Sequence, residues 1–376
     1  MSEIATFSEP TVRASQAASR EGWLFSPTID FLGLGGGSLL ALAAITLLTS
    51  PETHYAVFSI TSLWLANIVN HPHFAHSYQI FYRNFKNKLT HKDYPAALRA
   101  RYVFSGIIAP ISLAVFFAAS FAFSSPKALG YGASIMFFMV GWHYVKQGYG
   151  MAMVDAVLKK RFFNNREKNA LLLNAYATWI FAWMFVNRII SEHNFFGLDI
   201  PVFNAPDFLL YPAAAAAIAS AGWTVCLLGH GALNQGRRYP VNGLLAYGVS
   251  LYPWLLFGKI NPVYFTLVPL FHSLQYMTVV WRYELNTNES ETKRNPLVHL
   301  AQFYGFAVLL GAVAFWGAPI LLADMFSFDN SPFTGYSVLA AFWAFINVHH
   351  YLMDNVMWRK GNPDVAQNLF GMKPTK

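Results

Sequence analysis

Histidine lies deep inside four hydrophobic stretches of this chain, and in three of them it stands ten residues before an arginine. His73 leads to Arg83 in HFAHSYQIFYR, His272 to Arg282 in HSLQYMTVVWR, and His349 to Arg359 in HHYLMDNVMWR. A fourth stretch, GWHYVKQGYGM, contributes His143. Ionisable side chains are costly in hydrocarbon, so a membrane segment that keeps one usually keeps it for a site. Imidazole is also the commonest protein ligand for metals. Nitrogen donors with a few carboxylates suit iron, copper or zinc. Iron with open positions is the first expectation, because it binds dioxygen and oxidises a substrate that cannot leave the lipid. The one cysteine, Cys226, excludes an intrachain disulfide and any cysteine-rich zinc or iron–sulfur site.

The elements that must position these histidines follow from composition. The 376 residues are 55% hydrophobic, 17% aromatic and only 12% charged, against about 25% charged in soluble domains. This predicts an all-α, polytopic membrane helix bundle. The formal charge of +8 does not signify nucleic acid, because the basic residues sit in short loops beside apolar segments, as the positive-inside rule requires. A bilayer crossing needs roughly 20 apolar residues. Ten segments qualify: 28–50, 55–82, 102–124, 130–156, 169–190, 207–230, 241–258, 262–283, 297–324 and 333–358. With the N-terminus inside, most Lys and Arg fall in inside loops, and both termini are expected in the cytoplasm, in a bacterial inner membrane. Residues 1–27 read as a cytosolic tail, 28–358 as one transmembrane domain, and 359–376 as a second tail. GLGGGS follows no strand, so it is not a dinucleotide fingerprint.

The second, fourth, eighth and tenth segments all run from outside to inside. If Arg83, Arg282 and Arg359 reach the cytoplasmic headgroups, ten residues of helix put His73, His272 and His349 roughly 15 Å below that surface. That is near the midplane of a hydrocarbon core about 30 Å thick. Equal depth is what a shared ligand demands. The candidate metal ligands are therefore His71, His73, His76, His143, His272, His349 and His350. His73 and His76 share a helix face, and Pro72 allows a kink beside His71. His349 and His350 point about 100° apart, so one of them is expected as ligand. Asp354, four residues after His350, and Tyr276, four after His272, are the candidate catalytic residues, orienting ligands or managing protons. His54, His91 and His193 lie at span ends or in loops and read as solvated; His230 and His299 lie nearer the cytoplasmic face.

These residues point to a metalloenzyme with one or two non-haem irons per chain. It would act with O2 on a lipophilic substrate such as a carotenoid or fatty acyl chain, with an external electron donor if the reaction is a monooxygenation or desaturation. Haem b held by two facing histidines, for example His143 and His272, is the alternative. A proton- or metal-coupled transporter is the third class.

Single histidines on several of about ten spans, without HxxxH or HxxHH boxes, resemble the membrane-integral β-carotene dioxygenases of the Brp/Blh type. The resemblance covers mainly the second, fourth, eighth and tenth spans. It implies a non-haem iron held by histidines and cleavage of β-carotene to retinal. The missing boxes also argue against membrane fatty-acid desaturases and sterol hydroxylases.

Overall fold

A computed structural model of the chain describes residues 22–48, 50–189, 194–253, 255, 267–359 and 361–371. Most of the expected N-terminal tail, the end of the seventh segment, the start of the eighth, and His193 lie outside the described residues. The protein is about 81% helical. Its described helices are α1 (Pro27–Leu48), α2 (51–82), α3 (Phe85–Thr90), α4 (Ala96–Ala122), α5 (Pro126–Leu158), α6 (Asn165–Ile189), α7 (Asp207–Gln235), α8 (Val241–Leu251), α9 (Leu267–Thr287), α10 (Pro296–Asp324), α11 (Gly335–Met357) and α12 (Pro363–Asn368). A short hairpin, β1 (Asn194–Phe195) with β2 (Leu198–Asp199), joins α6 to the loop before α7.

The helices divide by polarity. Five of them, α1, α4, α6, α7 and α10, are long and apolar enough to cross a membrane. Their apolar windows are only 17–33% buried within the protein, so most of their surface faces outward. Leu47, Phe123, Ile218 and Leu233 are typical of that exposed apolar face. The helices α2, α5, α9 and α11 carry all of the buried histidines, and with them buried Asp155, Gln275, Glu284 and Asp354. Helix α11 packs on α2, α4 and α5, while α9 packs on α1, α2 and α10. An apolar jacket around a polar core is the arrangement a bilayer imposes, since lipid cannot satisfy polar groups.

Three helices share one backbone device. A π-helical turn occupies Ala66–Asn70 in α2, Phe104–Ile108 in α4 and Val313–Gly317 in α10. Each is followed, one residue later, by a proline: Pro72, Pro110 and Pro319. Proline has no N–H, so the carbonyl four residues before it loses its helical donor. In every case a neighbouring side chain donates to that carbonyl. Tyr304 donates to the Ile68 oxygen, Tyr82 to the Gly106 oxygen at 2.9 Å, and Trp343 Nε1 to the Phe315 oxygen at 3.3 Å. Each proline thus costs one carbonyl its helical donor, and packing supplies a donor for each of these three.

Beyond Arg83 the chain turns through Asn84 in the left-handed region (φ 52°) into α3. Buried Lys88 reaches back to donate to the last carbonyls of α2, Ile80 (2.6 Å) and Phe81 (3.0 Å). This places a cation at the negative end of the helix dipole. Asp364 at the start of α12 accepts from Tyr94 and lies 3.6 Å from Lys88. The C-terminal segment is thereby tied to the end of the bundle that carries the arginines. Tyr82→Phe removes only the hydroxyl that donates to Gly106. It is expected to lower stability by about 1–3 kcal/mol, the cost of an unmade buried hydrogen bond, measured by SDS unfolding in mixed micelles. An unchanged midpoint would mean the proline-freed carbonyl needs no side-chain partner.

Candidate metal centre

Four helices each bring one imidazole into a single buried cluster, their Nε2 atoms in two close pairs. His73 comes from α2, His143 from α5, His272 from α9 and His350 from α11. All four are buried. His73 Nε2 lies 3.2 Å from His350 Nε2, and His143 Nε2 lies 3.1 Å from His272 Nε2. Ring centroids are 4.7 Å apart for His73–His350, 4.8 Å for His143–His272, 4.9 Å for His143–His350 and 5.3 Å for His73–His272. The ligand atoms of His73, His272 and His350 all lie within 4.8 Å of one another, as do those of His143, His350 and Asp354.

Aromatic rings orient this set. His143 stacks on Tyr351 (4.7 Å, 26°) and His272 on Tyr144 (4.2 Å, 25°). Phe74 packs against His73 and His350. The tautomer of His73 is fixed by the backbone: its Nδ1 donates to the Asn70 carbonyl at 2.6 Å, with Ser273 Oγ 3.0 Å away. Its Nε2 lone pair therefore faces the centre. The Nδ1 atoms of His272 and His350 have no hydrogen-bond partner.

One helical turn further on, a second polar layer forms. Residues four positions apart lie above one another on a helix. Ser77 follows His73, Tyr276 follows His272, and Asp354 follows His350 at this spacing. The three meet. Asp354 Oδ1 accepts from Ser77 Oγ (3.0 Å) and Tyr276 Oη (3.2 Å), and the two hydroxyls are 2.5 Å apart. Asp354 Oδ2 turns the other way, 3.5 Å from His350 Nε2 and 3.8 Å from His143 Nε2. Gln147, four after His143, instead donates to the His272 carbonyl at 2.9 Å, which ties α5 to α9.

The other three candidate histidines do not join the group, and each has a local reason. His349 Nε2 donates to the Ser105 carbonyl at 2.9 Å, while Tyr78 bonds its Nδ1 at 2.8 Å. The π turn frees that carbonyl, because the Ala109 N–H bonds Phe104 instead and Pro110 has none. His76 accepts from Trp281 Nε1 (3.3 Å), bonds Gln79 (3.1 Å) and stacks on Phe303. His71 lies flat on Phe315 (4.1 Å, 5°) between Trp316 and Trp343, with neither ring nitrogen hydrogen-bonded. Gly311 permits that approach, since a Cβ there would come within 2.9 Å of the His71 Cβ. The chemistry-bearing residues not singled out in the sequence are Ser77 and Ser273. Ser77 carries the same signal as Asp354, four residues after a central histidine; Ser273 reaches His73 across two helices and has no local signal.

Each of the two close nitrogen pairs fits a metal ion. Two nitrogens each about 2.0–2.1 Å from one ion, the usual metal–imidazole distance, and 3.1–3.2 Å apart subtend about 100°. That angle lies between octahedral and tetrahedral ideals. His299, placed nearer the cytoplasmic face by sequence, is remote from this set and pairs with Glu284 (2.8 Å), which also binds Arg83. No family model matches the chain, and neither a curated protein nor a solved structure matches it. The site's own geometry must therefore carry the functional argument. Alanine at His73, His143, His272 or His350 is expected to abolish stoichiometric metal in the purified protein, measured by inductively coupled plasma mass spectrometry. Asparagine at His71, His76 or His349 should leave it in place. Retention of metal after combined His272→Ala and His350→Ala substitution would remove the centre from consideration.

Proposed function

We propose that this chain is a membrane-embedded oxygenase in which one non-haem iron is held by the Nε2 atoms of His73, His143, His272 and His350, acting with O2 on a lipophilic substrate such as a carotenoid or fatty acyl chain. The observation that carries this reading is the convergence of four buried imidazole nitrogens, one from each of four helices, inside a jacket of outward-facing apolar helices. Lipid surroundings make such an arrangement costly unless it serves a site. The reading includes ten crossings with both termini in the cytoplasm, as the loop charges require.

The geometry favours one ion over two. The two possible ligand groups share His350, and a single Nε2 lone pair serves one ion. It also favours non-haem iron over haem b. Axial nitrogens on opposite sides of one iron stand about two bond lengths, roughly 4 Å, apart with the macrocycle between them. His143 and His272, the pair expected for haem, are closer, with His350 beside them.

Ferrous iron in this set would bring dioxygen chemistry to a substrate dissolved in the bilayer. The protein's own residues supply the rest. Tyr144, Tyr351 and Phe74 hold the imidazole planes and keep water out. Asp354 stands beside His143 and His350 as a negative charge or proton acceptor, and Tyr276 and Ser77 fix its orientation through Oδ1. A proton arriving at Asp354 Oδ2 can thus be held without disturbing the imidazoles.

Elemental analysis and an absorption spectrum of the detergent-purified protein test the proposal. Iron near one per chain without a Soret band is expected, together with O2-dependent consumption of β-carotene or an acyl lipid. A Soret band would move the protein to the haem class. Absence of metal after gentle purification would leave the histidines as a proton path in a transporter. Asp354→Asn is expected to keep iron and to lower turnover about 10–100-fold, as changes to groups that orient metal ligands do. Full turnover in that variant would remove Asp354 from the chemistry.

A further inference from the structure

We propose that a cavity between the end of α5 and the start of α8, whose lining includes none of the candidate histidines, binds the phosphate of an anionic phospholipid. The cavity holds about 420 Å³, and its lining includes Trp23, Lys159, Lys160, Arg161, Val241 and Asn242. Three of these six are basic side chains, of which Lys160 is already engaged, and among the described residues no carboxylate lines it. Asp155, in the last turn of α5, is engaged: its Oδ1 lies 2.8 Å from Lys159 Nζ and its Oδ2 accepts the Gly243 N–H at 2.8 Å. Lys159 is further held over the Trp23 ring at 4.3 Å. Arg161 gives one N–H to the Tyr239 carbonyl at 3.4 Å, which leaves most of its five donors for a ligand.

Asn242 supplies the independent observation. Its residue is only 7% exposed, yet its side-chain amide nitrogen has no hydrogen-bond partner. A buried amide without a partner costs about 1–3 kcal/mol, and a phosphate oxygen in the cavity would satisfy it. Asn242 is also the second residue of α8, whose N-terminus has no side-chain cap, so the positive end of that helix faces the same space.

Free phosphate and a lipid headgroup share this anion chemistry, and the surroundings favour the lipid. Val241 on the lining is 66% exposed, and Phe162, next to Arg161, is 57% exposed. An anionic pocket ligand flanked by bare apolar side chains is amphiphilic. Basic pockets of this kind at the cytoplasmic edge of a bundle recognise anionic headgroups.

The test uses the full chain and phosphatidylglycerol as probe. Native mass spectrometry should find phosphatidylglycerol retained on the wild-type protein and at least about fivefold less on a variant combining Asn242→Leu and Arg161→Gln. Thermal unfolding of the wild type should shift upward in phosphatidylcholine nanodiscs that contain phosphatidylglycerol, and inorganic phosphate should not reproduce the shift. Equal lipid retention in variant and wild type would overturn the proposal. A wild-type midpoint indifferent to phosphatidylglycerol would do the same, whether or not the variant folds. If inorganic phosphate gave the whole shift, the site would be one for the free anion.

Discussion

Four imidazoles placed where water cannot reach them set the terms for the rest of this protein. Their Nε2 atoms turn toward one another in two close pairs. That pairing fixes the depth of His73, His143, His272 and His350 on four separate helices. It also fixes which faces of those helices look inward. Once those faces are committed, the remaining polar groups one turn away are carried inward with them. Ser77, Tyr276 and Asp354 meet because their histidines meet. The outer helices then have a single task, which is to present apolar surface to lipid.

The same constraint explains how the backbone is treated. A membrane helix cannot leave a carbonyl unsatisfied at depth, yet three helices contain prolines that do this to a carbonyl each. Tyr82, Tyr304 and Trp343 repair the ladder from neighbouring helices, and His349 repairs one more carbonyl in the turn of α4. These repairs cross between helices. They act as position-specific contacts in a medium where apolar packing alone does little to choose one pairing over another.

Much of this was legible in the sequence. Every expected apolar segment overlaps a described helix, and five of the six segments without a central histidine are helices long and apolar enough to cross a membrane; the seventh segment, as α8, is short and mostly buried instead. Periodicity also pointed to Asp354 and Tyr276 as companions of their histidines. What one-dimensional spacing could not settle was direction. His349 and His350 are adjacent, and nothing local decides which looks inward; the freed Ser105 carbonyl on α4, about 244 residues away, does. The ten-residue match drew attention to His349, but it is His350 that stands beside His73 and His143. His71 and His76 share a helix with His73, but a two- or three-residue offset turns them toward Phe315 and Phe303. The π turns were invisible because they arise from the joint demands of a proline and the helices packed beside it; only the kink at Pro72 had a local signal.

The π turn just before His71 has a consequence for the whole of α2. It inserts one residue into a helical turn, so the portions on either side are out of phase by about 100°. The outer half of the helix can keep its own packing face while the inner half aims His73 independently. Such a turn works as a phase adjuster. It lets a ligand-bearing segment be re-aimed by gaining or losing a single residue, without redesigning the lipid-facing surface. The recurrence of the motif in α4, where it sets His349, and in α10, where it seats Phe315 against His71, implies that the angular settings of the core were tuned separately from the shape of the bundle that encloses it.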